Sequence, residues 1–154
     1  MPGNRAHYEE ALSRGHTYSW DQHWEEAVAR FKEAVAEFPE EPAPYAGIAM
    51  AAFELGHLEE ALENYKLAAR YSRGDVIYLR QVADVQERLG QLNEAGQTYM
   101  AIGEIHLRRS ALEQAVDNWH RAARLAPGLL GAHQRLARYH TQQGQVRPAI
   151  REYL

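Results

Sequence analysis

Apolar side chains recur along this chain at spacings of three, four and seven residues, the period that lines up one face of a helix. The pattern is clearest around a series of alanines. Ala27, Ala61 and Ala95 stand 34 residues apart, Ala115 follows after only 20, and Ala149 is again 34 further on. Four residues after each comes an aromatic: Phe31, Tyr65, Tyr99, Trp119 and Tyr153. Seven after the first four comes Ala34, Ala68, Ile102 or Ala122, and three before all five comes Trp24, Leu58, Leu92, Leu112 or Val146. Five before comes Gly56, Gly90, Ser110 or Gly144, with Gln22 the exception in the first unit; glycine there is a stop signal for the helix in front. Pro39 and Pro127 close two of the units. The intervening segments 8–20, 44–55, 76–89 and 129–143 also carry apolar residues three and four apart, and Pro42 and Pro44 suit a helix start. Sustained alternation and Asn-Gly or Asp-Gly hairpin signals are absent, so no strand is predicted. The expectation is an all-α chain of about nine helices, built from helical hairpins that must stack to bury their stripes.

The short interval between Ala95 and Ala115 is 14 residues under the period, about the length of one helix. Only twelve residues separate Gly90 from Gly103, too few for two helices. The spacing therefore predicts one helix, about 93–108, that serves twice: as the second helix of a third unit through Ala95, Tyr99 and Ile102, and as the first helix of a fourth through Gly103 and His106. Met100, Ala101, Ile105 and Leu107 widen its apolar surface, as a helix covered on two sides requires. The units then run 8–41, 42–75, 76–108, 96–128 with overlap, and 130–154 incomplete, within a single repeat domain, 1–154. Two sub-arrays, 8–108 and 93–154, are expected to meet at an angle through the shared helix. The competing account is that 93–108 is an ordinary second helix and the fourth unit has lost its first.

These residues resemble the tetratricopeptide repeat family. That family's 34-residue helix–turn–helix unit carries Gly-x-x-Tyr in its first helix and Ala-x-x-x-Phe in its second. Here they are Gly15-His16-Thr17-Tyr18 and Ala27-Val28-Ala29-Arg30-Phe31. The first motif becomes Ala49-Met50-Ala51-Ala52 and Ala83-Asp84-Val85-Gln86 in later units, and the closing proline is missing near Arg73 and Leu107. The resemblance implies a solenoid that displays a concave groove, lined by first helices, to a protein or peptide partner. By that resemblance the groove residues are Leu12, His16, Ser19, Trp20, Ala46, Met50, Phe53, Arg80, Asp84, Glu87 and Arg88. Chaperone-binding members hold a terminal carboxylate with Lys, Asn and Arg side chains. The matching places here are Leu12, His16, Ala46 and Met50, so an apolar or amphipathic segment is the expected partner.

Composition narrows the chemistry. A formal net charge of −4 and no basic block argue against nucleic acid, where phosphate neutralisation supplies most affinity. Without cysteine there is no thiol or disulfide chemistry, and no apolar run approaches a membrane span. The start of the chain lacks an apolar signal core, so a soluble cytoplasmic protein is expected. No phosphate loop or nucleophile elbow occurs, and the expectation is no catalysis and no cofactor. Glu9, Glu10, Glu25, Glu26, Glu59 and Glu60 read as exposed or helix-starting acids. His133 and His140 are seven apart but lack a carboxylate at metal-ligand spacing, so no metal is expected. Arg73-Gly74-Asp75 matches an adhesion tripeptide but reads better as a helix stop followed by a cap. The chain stops inside its last stripe, at Ile150, Tyr153 and Leu154. An uncovered stripe there offers the alternative function, a homo-oligomer formed through terminal helices or the shared helix.

Overall fold

The computed structural model describes residues 3–144, and these form eight helices and no strand. They are α1 (Arg5–Trp20), α2 (Trp24–Glu37), α3 (Pro42–Glu54), α4 (Leu58–Tyr71), α5 (Val76–Arg88), α6 (Leu92–Arg108), α7 (Leu112–Leu125) and α8 (Leu130–Gln142). The ninth helix expected from the pattern falls on 145–154, outside the described residues. The large residue placed three before each repeat alanine is the first residue of α2, α4, α6 and α7. α1 begins three residues earlier than the apolar spacing indicates, because Asn4 caps it: its Oδ1 accepts the His7 N–H at 3.0 Å. α3 starts at Pro42 and takes in Pro44, whose missing N–H costs nothing in a first turn.

Two kinds of turn end the helices, and the sequence chooses between them. α2 and α7 end just before Phe38 and Ala126, whose φ values of −137° and −131° leave the helix. Each precedes a proline, which disfavours helical backbone in the residue before it. Gln22, Gly56, Gly90, Ser110 and Gly144 all have positive φ, between 60° and 82°. That left-handed residue lets the next N–H reach back five residues, as from His23 to Tyr18 and from Ala111 to His106, both 2.8 Å. Gly74 (φ 81°) and Arg73 (φ 60°) turn the chain after α4, and Asp75 Oδ1 then accepts the Ile77 N–H at 2.9 Å. The adhesion-like tripeptide is thus used as a stop and a cap.

Gln22 and Ser110 hold this conformation with a side chain, which costs roughly 1–2 kcal/mol relative to glycine before glycine's own entropy loss is counted. Gln22→Gly and Ser110→Gly are each expected to stabilise the chain by about 0.5–1 kcal/mol, and Gly90→Ala to destabilise it by a similar amount. Denaturant midpoints at unchanged slope would show this; a loss of stability on Ser110→Gly would contradict it.

The chain divides into two compact units, Met1–Val85 and Gln86–Leu154. In the first, α1 pairs with α2 and α3 with α4, and α2 packs on α3. Small residues let the backbones approach: Ala27, Ala34, Ala49, Ala61 and Ala68 are wholly buried. Phe31, also 0% exposed, fills the space between α1 and α3. A methyl built on Gly15 or on Gly47 would lie 2.5 Å from its ring. In the second unit α6 pairs with α7, and α7 packs on α8. Trp119 fills the place of Phe31, and a methyl on Gly103 would lie 2.5 Å from its Nε1.

α6 also engages the last turn of α5. Tyr99, 1% exposed, donates its hydroxyl hydrogen to Glu87 Oε1 at 2.7 Å and accepts from Arg121 Nη1 of α7 at 3.3 Å. Thr98 Oγ1 donates to Gln86 Oε1 at 2.7 Å. α6 thus touches residues 86 and 87 on one side and α7 on the other, within the second unit.

Candidate protein-binding face

The side of α1 turned away from its buried stripe (Tyr8, Ala11, Gly15, Ser19) lines an open cleft of about 620 Å³. Its lining is Glu9, Leu12, Ser13, His16, Thr17 and Trp20, residues that recur every three to four positions. Leu12 is half-buried, packed on the cluster of Ala27, Phe31 and Ile48, so its main work is structural. His16 is exposed and sets its ring edge-on to Phe31, with centroids 5.2 Å apart. Trp20, at the end of the helix, is 88% exposed. A tryptophan left this open is unusual, since its large apolar ring gains more than any other side chain from cover.

The structure brings Leu12, His16 and Trp20 of the expected groove together in this cleft. Met50, 38% exposed, and Phe53, half-buried, share one side of α3 with Ala46 and lie outside the cleft's lining. Arg80 and Asp84 are exposed on α5 in the first unit; Arg88, also exposed, and half-buried Glu87 follow on the same helix in the second. Ser19 is a correction: it is buried, its hydroxyl donating to Gly15 O at 3.0 Å, and faces the core. Ile150, Tyr153 and Leu154, on which self-association was expected to rest, lie outside the described residues. Glu9, Ser13 and Thr17 complete the cleft; their signal was their helical spacing from the residues already named.

Other candidate chemistry resolves into packing. His133 Nε2 lies 2.7 Å from Pro127 O, and the His140 ring meets Tyr139 at 5.3 Å and His120 at 6.0 Å. Among the described residues no three His, Asp or Glu side chains gather as metal ligands. Glu25, Glu26, Glu59 and Glu60 sit in first turns, where acids are favoured, and Glu10 pairs with Arg14 at 3.7 Å. Burial raises the phenol pKa of Tyr8, Tyr45, Tyr65 and Tyr78, and for Tyr65 the nearby Glu54 and Asp84 carboxylates add to it. These phenols are therefore further from acting as bases near neutrality than free tyrosine. Among the described residues no helix is long and apolar enough to cross a membrane.

A second opening lies in the second unit, between α6 and α8. It measures about 530 Å³ and is lined by Met100, Glu104, Gly131, Gln134, Arg135 and Arg138. Sequence reading named none of these residues, although Met100 and Gln134, and Glu104 and Arg138, each stand one 34-residue period apart.

The family model described as tetratricopeptide repeat matches residues 21–81. No curated protein matches the chain. Among solved structures, a MamA chain (41-end) from Desulfovibrio magneticus RS-1 is 16% identical, with 96% of this chain and 91% of that one covered and a TM-score of 0.56. The TPR2AB-domain:pHSP90 complex of yeast Sti1 is 22% identical with a TM-score of 0.66; 79% of this chain is covered, but only 48%, about half, of that one. The TPR2B-domain:pHsp70 complex of yeast Sti1 is 21% identical, covering 77% of this chain and 98% of that one with a TM-score of 0.64. Residues 21–81 thus match the tetratricopeptide repeat model, and the chain as a whole is similar to solved tetratricopeptide repeat structures in its all-helical fold.

Proposed function

We propose that the chain is a non-catalytic protein-interaction scaffold that takes an apolar or amphipathic segment of a partner on the exposed sides of α1 and α3. The observation that carries this reading is Trp20, 88% exposed in an open cleft that Leu12 and His16 of the same helix also line. Exposed tryptophans anchor partners well, because a rigid ring buries a large area with little entropy lost. The Sti1 neighbours are complexes with pHSP90 and pHsp70, which supports peptide capture as a use of this fold. The mechanism is rigid display: Phe31, wedged between Gly15 and Gly47, holds α1 and α3 in fixed relation before any partner arrives.

Peptides selected on the purified chain from a random library supply the test. Trp20→Ala is expected to weaken their binding by at least about thirtyfold, the size of an interface hot spot, and Met50→Glu and Phe53→Glu to weaken it further. Trp20→Ala should leave the melting temperature in place, since its ring is solvent-exposed. Undiminished binding by a folded Trp20→Ala protein would remove this face from consideration.

A further inference from the structure

We propose that His120 of α7 and His140 of α8 together form a binding site for one divalent transition-metal ion of the zinc–copper class. Sequence spacing pairs His140 with His133 on the same helix, but His133 Nε2 lies 2.7 Å from the Pro127 carbonyl oxygen. The fold gives His140 a different neighbour: the His120 and His140 ring centroids are 6.0 Å apart. Zinc binds an imidazole nitrogen at 2.0–2.1 Å, which puts the ion about 3.2 Å from the ring centroid, so one ion can hold two rings whose centroids are up to about 6.4 Å apart. The observed spacing falls inside that reach. The ring planes are tilted by 53°, and the broad last torsion of a histidine lets each nitrogen turn toward the ion.

The two rings are brought together by packing, before any metal arrives. His120 follows Trp119, and His140 stands one turn beyond Leu136; Trp119 and Leu136 belong to one buried cluster with Ala115 and Val116. Tyr139 packs on the same cluster, and its ring meets that of His140 at 5.3 Å. Both histidines are half-buried, so an ion from solvent can reach them. His140 lies in the last turn of α8, where the carbonyl end of the helix favours a cation. Ligand chemistry selects the ion: imidazole suits zinc, nickel and copper, whereas magnesium and calcium take oxygen. Two protein ligands leave the remaining positions to water, so the ion exchanges with solvent while it ties α7 to α8. An ion that binds only the folded pairing stabilises it. The site belongs to the second unit and does not depend on the scaffold reading of the α1 cleft.

The test is calorimetric titration of the whole chain with Zn2+ and with Cu2+ in a buffer that does not chelate. One ion per chain is expected at the tightest site, with Cu2+ bound more tightly than Zn2+. His120→Gln and His140→Gln should each weaken binding at least about tenfold, since losing a ligand costs no less than the 10–100-fold that losing a supporting contact does. The double variant should be hardly weaker than either single one, because one missing ring already ends the chelate. His133→Gln and Trp20→Ala should leave the affinity unchanged. Zinc should also raise the melting temperature of the unaltered chain by several degrees and leave that of the His120→Gln protein in place. Circular dichroism shows whether the variants fold; should one not, the assigned ring resonances of the unaltered chain decide, with those of His120 and His140 shifting together as zinc is added. Absence of binding, equal affinity in the His120→Gln protein, or the same loss on His133→Gln overturns the proposal. So does a shift of the two rings at different zinc concentrations, since they would then bind as independent ligands.

Discussion

Phe31→Ala is expected to cost about 3–5 kcal/mol, a large fraction of the 5–15 kcal/mol that holds a domain together. The ring is 0% exposed and belongs to the cluster of Ala27 and Ile48, with Leu12, Tyr18, Val28 and Val35 around it. Its surroundings cannot collapse into the space it leaves. Gly15 and Gly47 face the ring from α1 and α3 and have no side chains to move inward. The cavity term therefore adds in full to the lost transfer energy. Phe31→Leu, which restores part of the volume, should recover a good share of the loss, whereas Gly15→Val should cost on its own by overpacking the same site. Urea denaturation followed by far-ultraviolet circular dichroism reads all three. A loss under about 1 kcal/mol for Phe31→Ala would show that α1 and α3 do not depend on this wedge.

The legible part of the molecule is the part with a period. Ala27, Phe31 and Ala34 share one helix face, and the same face recurs in α4, α6 and α7 at buried Ala61, Ala95 and Ala115. The turn positions at Gly56, Gly90 and Ser110 were legible too; Gln22, an exception to the pattern, adopts the same left-handed backbone all the same. Ends of helices were less so. α1 starts at Arg5 because of one side-chain bond from Asn4, which apolar spacing does not register. The groove was legible only by resemblance, and the resemblance did not separate function from packing. Leu12 turned out largely structural and Ser19 wholly so, while Trp20 stands open. The α6–α8 opening was not named, although Met100 and Gln134 stand one period of 34 residues apart. Glu104 and Arg135 are 31 residues apart, and nothing near either residue names the other as its partner.

Gly103→Ala discriminates between the two accounts of α6. Were α6 only the second helix of a hairpin with α5, Gly103 would be an interior helix glycine, and alanine would stabilise by about 0.8–1 kcal/mol through propensity alone. As a first helix packed under α7, it has no room: the new methyl would lie 2.5 Å from Trp119 Nε1 and 3.2 Å from the Ala115 carbonyl oxygen. Trp119 is 3% exposed and locked in the cluster with Val116 and Leu136, so it cannot swing aside cheaply. Overpacking of this kind costs about 1–3 kcal/mol, which outweighs the gain in propensity, and Gly103→Leu should cost more. The cause is isolated by a double-mutant cycle. Trp119→Leu alone should destabilise through lost volume, but it vacates the space the methyl needs. The Gly103→Ala/Trp119→Leu protein is then expected to be more stable than the sum of the single changes allows, by about 1 kcal/mol or more. Additive behaviour, or a gain in stability on Gly103→Ala alone, would mean that α6 does not serve α7 as a first helix, and the 20-residue interval would have to be read as a plain deletion.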